Sequence, residues 1–419
     1  MKKCFFLLTI GVLSLAVLWA GGKSDTQKSD VVTIEFIQWW EPELPAGSFR
    51  AIIDQFEAQN PGIKVKLISG PYSNTRDQIV TGAATGTLSD VVGLDGAWVN
   101  DLAKQGAITA LDSLMASTGF DPNQVAAIIK LGGNSYMFPV ASFVYPIFIN
   151  LDHFSAAGIA NPPQNRSEFL QAARKLTDPA RNRYGWVLPL SLQTPNGVQN
   201  DIMSWVWATG KSMLKNGRPD LINPDVIDAL KFVETLYKEN LISPGTFAKQ
   251  EQDKVEEFVN GRIGMTISSL AHINMIRERN PNLKFTISAL PAADGYTGRR
   301  GLPYAAWGIG ISDKSPHKAE AWKLVSYLMS PEVNSKLVSI AHAFPGNVNA
   351  KPDFVESDEL YAKAFEIFKS GYLANEFTGL PVAEELMRIF DEEIQLMLDG
   401  KQTAEQAAAA AQKKWEAVF

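Results

Sequence analysis

Between residues 31 and 106 the apolar residues switch repeatedly between a spacing of two and a spacing of 3.6, and this alternation restricts the fold more than any other feature of the chain. Val31 to Gln38 reads as a strand, and the stripe at positions 49, 52, 53 and 56 predicts a helix up to Gln59. Asn60-Pro61-Gly62 stops that helix, and Ile63 to Ile68 alternates like a strand with one buried face. A second helix fits Asn74 to Thr85, Asp90 to Leu94 reads as a buried parallel strand, and a third helix spans Ala97 to Lys104. Strand and helix in strict turn predict an α/β fold, with a parallel sheet covered by helices on both faces.

The first strand runs straight into Trp39-Trp40-Glu41, and Pro42 keeps the strand from continuing. Open α/β sheets bind ligands beyond the carboxyl ends of their strands. Two indoles and a carboxylate at such a position therefore point to capture of a small molecule. Asp95 stands at the equivalent end of the third strand. A strand alternates its faces, so Trp39 and Trp40 are not both required to face the ligand.

At 419 residues the chain is long enough for two domains. Lys2-Lys3 followed by the largely apolar run Cys4 to Trp19 is a secretory signal, assigned to residues 1–20. Residues 21–30 form a polar, flexible tether. The run is short for a membrane span, and no later segment reaches the ~18 apolar residues a span requires. Leu18-Trp19-Ala20 is what precedes the lipid-modified cysteine of a bacterial lipoprotein, but position 21 is Gly and carries no thiol to acylate. The chain reads as exported, in the periplasm or at the outer face of the cytoplasmic membrane. The single cysteine, Cys4, leaves with the signal, so neither a disulfide framework nor a thiolate metal site is expected. The net charge of −6, without a basic stripe, argues against nucleic acid as a partner.

Further along, Tyr136–Val140 and Val144–Asn150 read as strands, followed by helices opened by Ser167-Glu168 and by Asn223-Pro224-Asp225. Phe285–Ser288 and Ala306–Ile311 are further strands, and the last quarter is helical, including the alanine run 404–411.

Catalytic signatures are absent from this sequence. His153, His272, His317 and His342 form no ligand pair, and for each a surface or satisfied core role outweighs a ligand role. There is no G-x-S-x-G elbow. Glu384-Glu385 and Glu392-Glu393 sit on amphipathic helices and read as solvated faces. A two-carboxylate glycosidase stays open, because such pairs come from distant segments.

Binding signatures are present. Of the ten tryptophans, Trp39, Trp40, Trp186 and Trp307 lie at strand ends or loops, with Tyr145 of the same type. Sugar rings stack their C–H faces on aromatic planes, and their hydroxyls pair with carboxylates and amides. Asp95 and Glu41 are suitable acceptors.

The order and spacing of several phrases carry a family resemblance over essentially the whole mature chain. They are Ile34–Glu41, Phe56–Val65, Gly86–Leu111, Met137–Val140, Phe148–Gly158, Phe169–Leu176, Phe258–Met265, Gly308–Ile311 and Ser315–Trp322. The chain resembles the family 1 extracellular solute-binding proteins of bacterial ABC importers, the group that contains maltose-binding protein. The resemblance implies a type II periplasmic-binding-protein fold, each lobe a mixed, mainly parallel sheet flanked by helices, with the ligand held in the cleft between lobes. It implies a first lobe of residues 31–143 with 305–345 and a second of 144–304 with 346–419. Hinge residues lie near Ser142–Pro146 and Pro303–Ala306.

Carried over by position, the implied cleft residues are Trp39, Trp40, Glu41, Asp95, Trp98, Tyr145, Ser268, Ser269 and Trp307, with Trp186, Trp205 and Phe344 added. The family's usual Gly-Trp after the Met265 phrase is replaced by Ser269-Leu270, which removes one stacking platform. The expectation is a monomeric, non-catalytic carbohydrate receptor without cofactor or metal. It takes a mono- or oligosaccharide, closes, and delivers it to the permease subunits of an ABC transporter. The alternatives are a receptor for a polyol or a glycerol-phosphate-type solute, which would draw on Arg76, Arg299 or Arg300, and an exported carbohydrate-active enzyme.

Overall fold

The computed structural model describes residues 31–419; the expected signal and tether over 1–30 lie outside the described residues. Helix Ser48–Gln59 forms where its stripe requires, burying Phe49, Ile52, Ile53 and Phe56 against the first sheet. Each such burial contributes on the order of 1.5–3 kcal/mol. Its end is fixed by Asn60, whose side-chain amide donates to the Phe56 carbonyl. The second helix, Tyr72–Thr85, ends on Gly86 in the left-handed conformation. The helix expected to open at Ser167 begins one residue earlier, at Arg166, because Asn165 accepts from the Glu168 amide and acts as the cap.

Two sheets organise the molecule. The first runs, edge to edge, Ile63–Ser69, Val32–Gln38, Val91–Leu94, Tyr304–Ile311, Asn134–Val144 and Phe344–Pro345. Its first three strands are parallel, as the alternating pattern predicts. The remaining pairings are antiparallel. The second sheet, Phe285–Ser288, Ile147–Asn150 and Met265–Ile267, is antiparallel and is extended by parallel bridges at Tyr184–Ile263 and Trp186–Ile242. Both sheets are therefore mixed, and the expected predominance of parallel pairing is confined to the opening segment. The cause is connectivity: Tyr304–Ile311 enters the first sheet from the cleft, where the strands beside it end.

Asn134–Val144 belongs to the first sheet and Ile147–Asn150 to the second, so the chain crosses between lobes at Tyr145-Pro146. The second crossing is tied to the first by the Tyr145 amide, which donates to the Pro303 carbonyl at 2.9 Å. One buried cluster fills the first lobe around Phe36, Ile52, Phe138 and Leu324. Two others fill the second lobe, one around Phe169, Leu230 and Trp415, the other around Phe148, Phe258 and Tyr361. Helices Ala383–Leu398 and Ala404–Val418 close the first of these second-lobe clusters, and Ala404, Ala407, Ala408 and Ala411 face inward. Among the described residues no helix is long and apolar enough to cross a membrane.

Candidate functional site

The two crossing segments floor a cavity of about 680 Å³ between the lobes. Its first-lobe wall starts at Gln38, a fully buried amide at the end of the first strand. Gln38 donates to Ser69 Oγ at 2.7 Å and accepts from the Glu41 amide at 2.9 Å, which fixes the turn that follows. Trp39 leaves this turn into the cavity, braced edge-on by Tyr72 at 5.3 Å and Trp98 at 5.5 Å. Trp40 goes the other way. It is fully buried and stacks on Trp307, with ring centroids 5.6 Å apart and planes 10° from parallel. Trp307 lines the cavity, so Trp40 serves as its backing.

The turn Glu41–Glu43 opens with Pro42 and carries its two carboxylates in different directions. Glu41 bonds outward to the Ser69 hydroxyl, and Glu43 lines the cavity. The Glu43 side chain is exposed, yet the protein around it pushes its carboxyl up to about 7, an effect that the Trp307 indole partly offsets. Asp95 accepts the Ala97 amide at 2.9 Å and the Tyr72 hydroxyl at 3.2 Å. Burial raises its carboxyl above the ordinary aspartate value, and those two donors oppose the rise.

The second-lobe wall comes from four separate segments. Gln199 and Asn200 project from a π-helical turn, Val198–Met203; such turns occur frequently at functional sites. Glu251 opens helix Glu251–Val259, and Ser269 and His272 follow strand Met265–Ile267. Glu384 and Met387 come from helix Ala383–Leu398. Behind this wall Lys254, fully buried, contacts Asp201 at 2.9 Å and Glu251 at 2.8 Å and joins the π-turn to the helix. The two acids hold the Lys254 ammonium in its charged form against burial. The His272 ring meets Ser268 Oγ at 2.7 Å through Nδ1, and burial lowers its pKa to about 4, so it faces the cavity neutral.

Glu384 also joins the lobes. Arg76 Nε donates to its Oε1 at 3.1 Å, Arg76 Nη2 donates to its Oε2, and the Trp98 indole donates to Oε1 at 3.3 Å. Beside this pair the Gly379 amide donates to the Gly96 carbonyl at 2.9 Å, and the Val382 amide donates to Asp101 Oδ1 at 3.2 Å. A Cβ on Gly96 would lie 2.6 Å from Thr378 Cγ2, so any larger residue would force the Thr378 side chain to shift. Val382 sits at φ 45°, an uncommon value for a β-branched residue.

Of the residues expected in the cleft, Trp39, Asp95, Tyr145, Ser269 and Trp307 line the cavity. The others are placed elsewhere. Trp40 is core, Glu41 faces Ser69, and Trp98 stands behind Trp39 and Glu384. Ser268 is buried against His272. Trp186 and Trp205 pack edge-on at 5.7 Å inside the second lobe, and Phe344 stacks on Phe368 at 4.6 Å. These three aromatic rings are fully buried, and their size explains the placement: each anchors a core that nothing smaller would fill. Glu384 and Glu393 correct the reading of their acidic pairs as solvated faces. Glu384 lines the cavity, and Glu393 is buried against Lys414 at 2.7 Å.

The family model for bacterial extracellular solute-binding proteins matches residues 42–335. The chain belongs to that family. A relative from Brucella abortus is 28% identical over 313 residues, which are 73% of this chain and 74% of the relative. The multiple sugar-binding protein of Streptococcus mutans is 23% identical over 361 residues, 81% of each chain. Among solved structures, the ABC transporter solute-binding protein of Thermotoga lettingae, bound with alpha-D-tagatose, superposes with a TM-score of 0.75 at 24% identity, covering 92% of this chain and 99% of its own. The family and these neighbours are binding proteins, and the two-lobed α/β fold is theirs.

Proposed function

We propose that the chain is the extracytoplasmic substrate-binding component of an ABC importer, capturing a carbohydrate in the interlobe cavity and delivering it to the membrane permease. Its lobes would comprise residues 31–143 with 305–345 and residues 144–304 with 346–419, rotating about the crossings at Tyr145-Pro146 and Pro303. The observation that carries the reading is the cavity's make-up: aromatic faces from Trp39, Trp307, Tyr72 and Phe143 meet hydrogen-bonding groups from Asp95, Asn200 and Glu251. Flat apolar faces beside acceptors suit a ring whose faces are C–H and whose edge is hydroxyl. The relatives' names support the same class.

A phosphorylated solute is disfavoured. Among the described residues no lysine or arginine lines the cavity. Arg76 is held by Glu384, and Arg299 and Arg300 donate to backbone carbonyls of the second lobe. Closure on the ligand would act as a hinged trap, with binding energy drawn from contacts to both walls. A family of binding proteins supports a non-catalytic receptor, which we take to act as a monomer outside the cytoplasmic membrane. The test is a titration with a panel of sugars and polyols, following tryptophan fluorescence and product formation together. Saturable change without turnover is the expected result; release of product would overturn the reading.

A further inference from the structure

The charges around the cavity do not balance. Four carboxylates line it, from Glu43, Asp95, Glu251 and Glu384, and no lysine or arginine does among the described residues. Glu384 is neutralised by Arg76. Lys254 is shared between Asp201 and Glu251, and burial pushes the Asp201 carboxyl up to about 7, so that group contributes little net charge. Asp95 has only neutral donors, the Tyr72 hydroxyl and the Ala97 amide. Glu43 has no ion-pair partner among the described residues, and with its carboxyl pushed up to about 7 it is about half ionised at neutral pH. The remaining titratable groups on the lining, Tyr72, Tyr145 and His272, supply no positive charge at neutral pH.

A neutral sugar can donate hydroxyls to these carboxylates but cannot cancel their charge. When the lobes close and water leaves, an uncompensated carboxylate becomes costly. An ammonium on the ligand removes that cost and forms a charge-assisted hydrogen bond.

We propose that the ligand is an amino sugar bearing a free, protonated amine, held with its ammonium at Asp95 and Glu43 and its ring against Trp39 and Trp307. The proposal rests on the carbohydrate-receptor reading and narrows its substrate class. N-acetylation would abolish the advantage, because the amide carries no charge.

The experiment titrates the intact mature protein at pH 7, where Glu43 is about half ionised, and low salt, by calorimetry and tryptophan fluorescence. The probes are D-glucosamine, D-galactosamine and the free-amine dimer of glucosamine. Each is paired with its neutral counterpart (glucose, galactose, cellobiose) and its N-acetyl form, and ethanolamine serves as a charge-only control. The amine forms are expected to bind about tenfold or more tighter than either counterpart, with the margin shrinking as salt is raised. Asp95→Asn is expected to reduce the margin several-fold. Neutral sugars binding as tightly as amines would overturn the amine assignment and leave the carbohydrate reading standing. Binding of no sugar at all, or of ethanolamine as tightly as glucosamine, would overturn both.

Discussion

Arg76 of the first lobe grips Glu384 of the second through two roughly parallel N–H to carboxylate bonds, and the same carboxylate faces the ligand cavity. The pair is partly exposed, so its contribution to folding is small, about 1 kcal/mol or less. We expect its larger effect on the lobe equilibrium. Arg76→Ala is expected to weaken ligand binding several-fold, by roughly 1 kcal/mol of closure energy, while the melting temperature moves little. Small-angle scattering of the liganded variant would show a larger radius than wild type. An unchanged radius and affinity would refute the role.

The two adjacent tryptophans divide their work, and truncation separates it. Trp40→Ala removes a fully buried ring that backs Trp307 and is expected to cost about 3–5 kcal/mol of stability. Trp39→Ala is expected to leave stability closer to wild type and to abolish most of the ligand-induced fluorescence change. Chemical denaturation and titration of both variants check the division.

Asp391 gives stability a pH slope. It is fully buried on the last long helix but one, with neither carboxyl oxygen partnered, and burial pushes its carboxyl up to about 8. The unfolded group titrates near 3.8, so between about 4 and 8 the folded state holds a proton that the unfolded state has lost. Stability therefore falls as pH rises through that window. Asp391→Asn is expected to flatten the slope and to gain on the order of 2 kcal/mol at pH 8. Urea midpoints at pH 5 and pH 8 for both proteins decide it.

Val382 holds a left-handed backbone at the junction between lobes. Val382→Gly is expected to relieve about 1 kcal/mol of strain, offset in part by the lost side-chain contacts, giving a melting temperature at or slightly above wild type. A fall of many degrees would show that the side chain, not the backbone, matters there.

Much of the frame was legible because it is periodic. The stripe at Phe49, Ile52, Ile53 and Phe56 and the Asn60-Pro61-Gly62 stop each have a local cause, and both are where the spacing predicts. The cavity was half legible for the opposite reason. Trp39 and Asp95 sit at strand ends, a position that order alone identifies. Glu43, Asn200, Glu251, His272 and Glu384 come from a proline-led turn, a π-turn, two helix starts and a long helix, and only the packing of the lobes brings them together. Pro42 was the one local hint that a turn, and so a second carboxylate, would follow Glu41.

Strand Tyr304–Ile311 lies in the middle of the first sheet, between Val91–Leu94 and Asn134–Val144. A ribosome must therefore deliver about three quarters of the chain before that sheet can close, and neither lobe is finished from contiguous sequence. Contacts this far apart along the chain form slowly. The same threading that builds the hinge thus keeps a nascent copy open for longer, the state a translocation channel accepts, and makes compaction a late event on the far side.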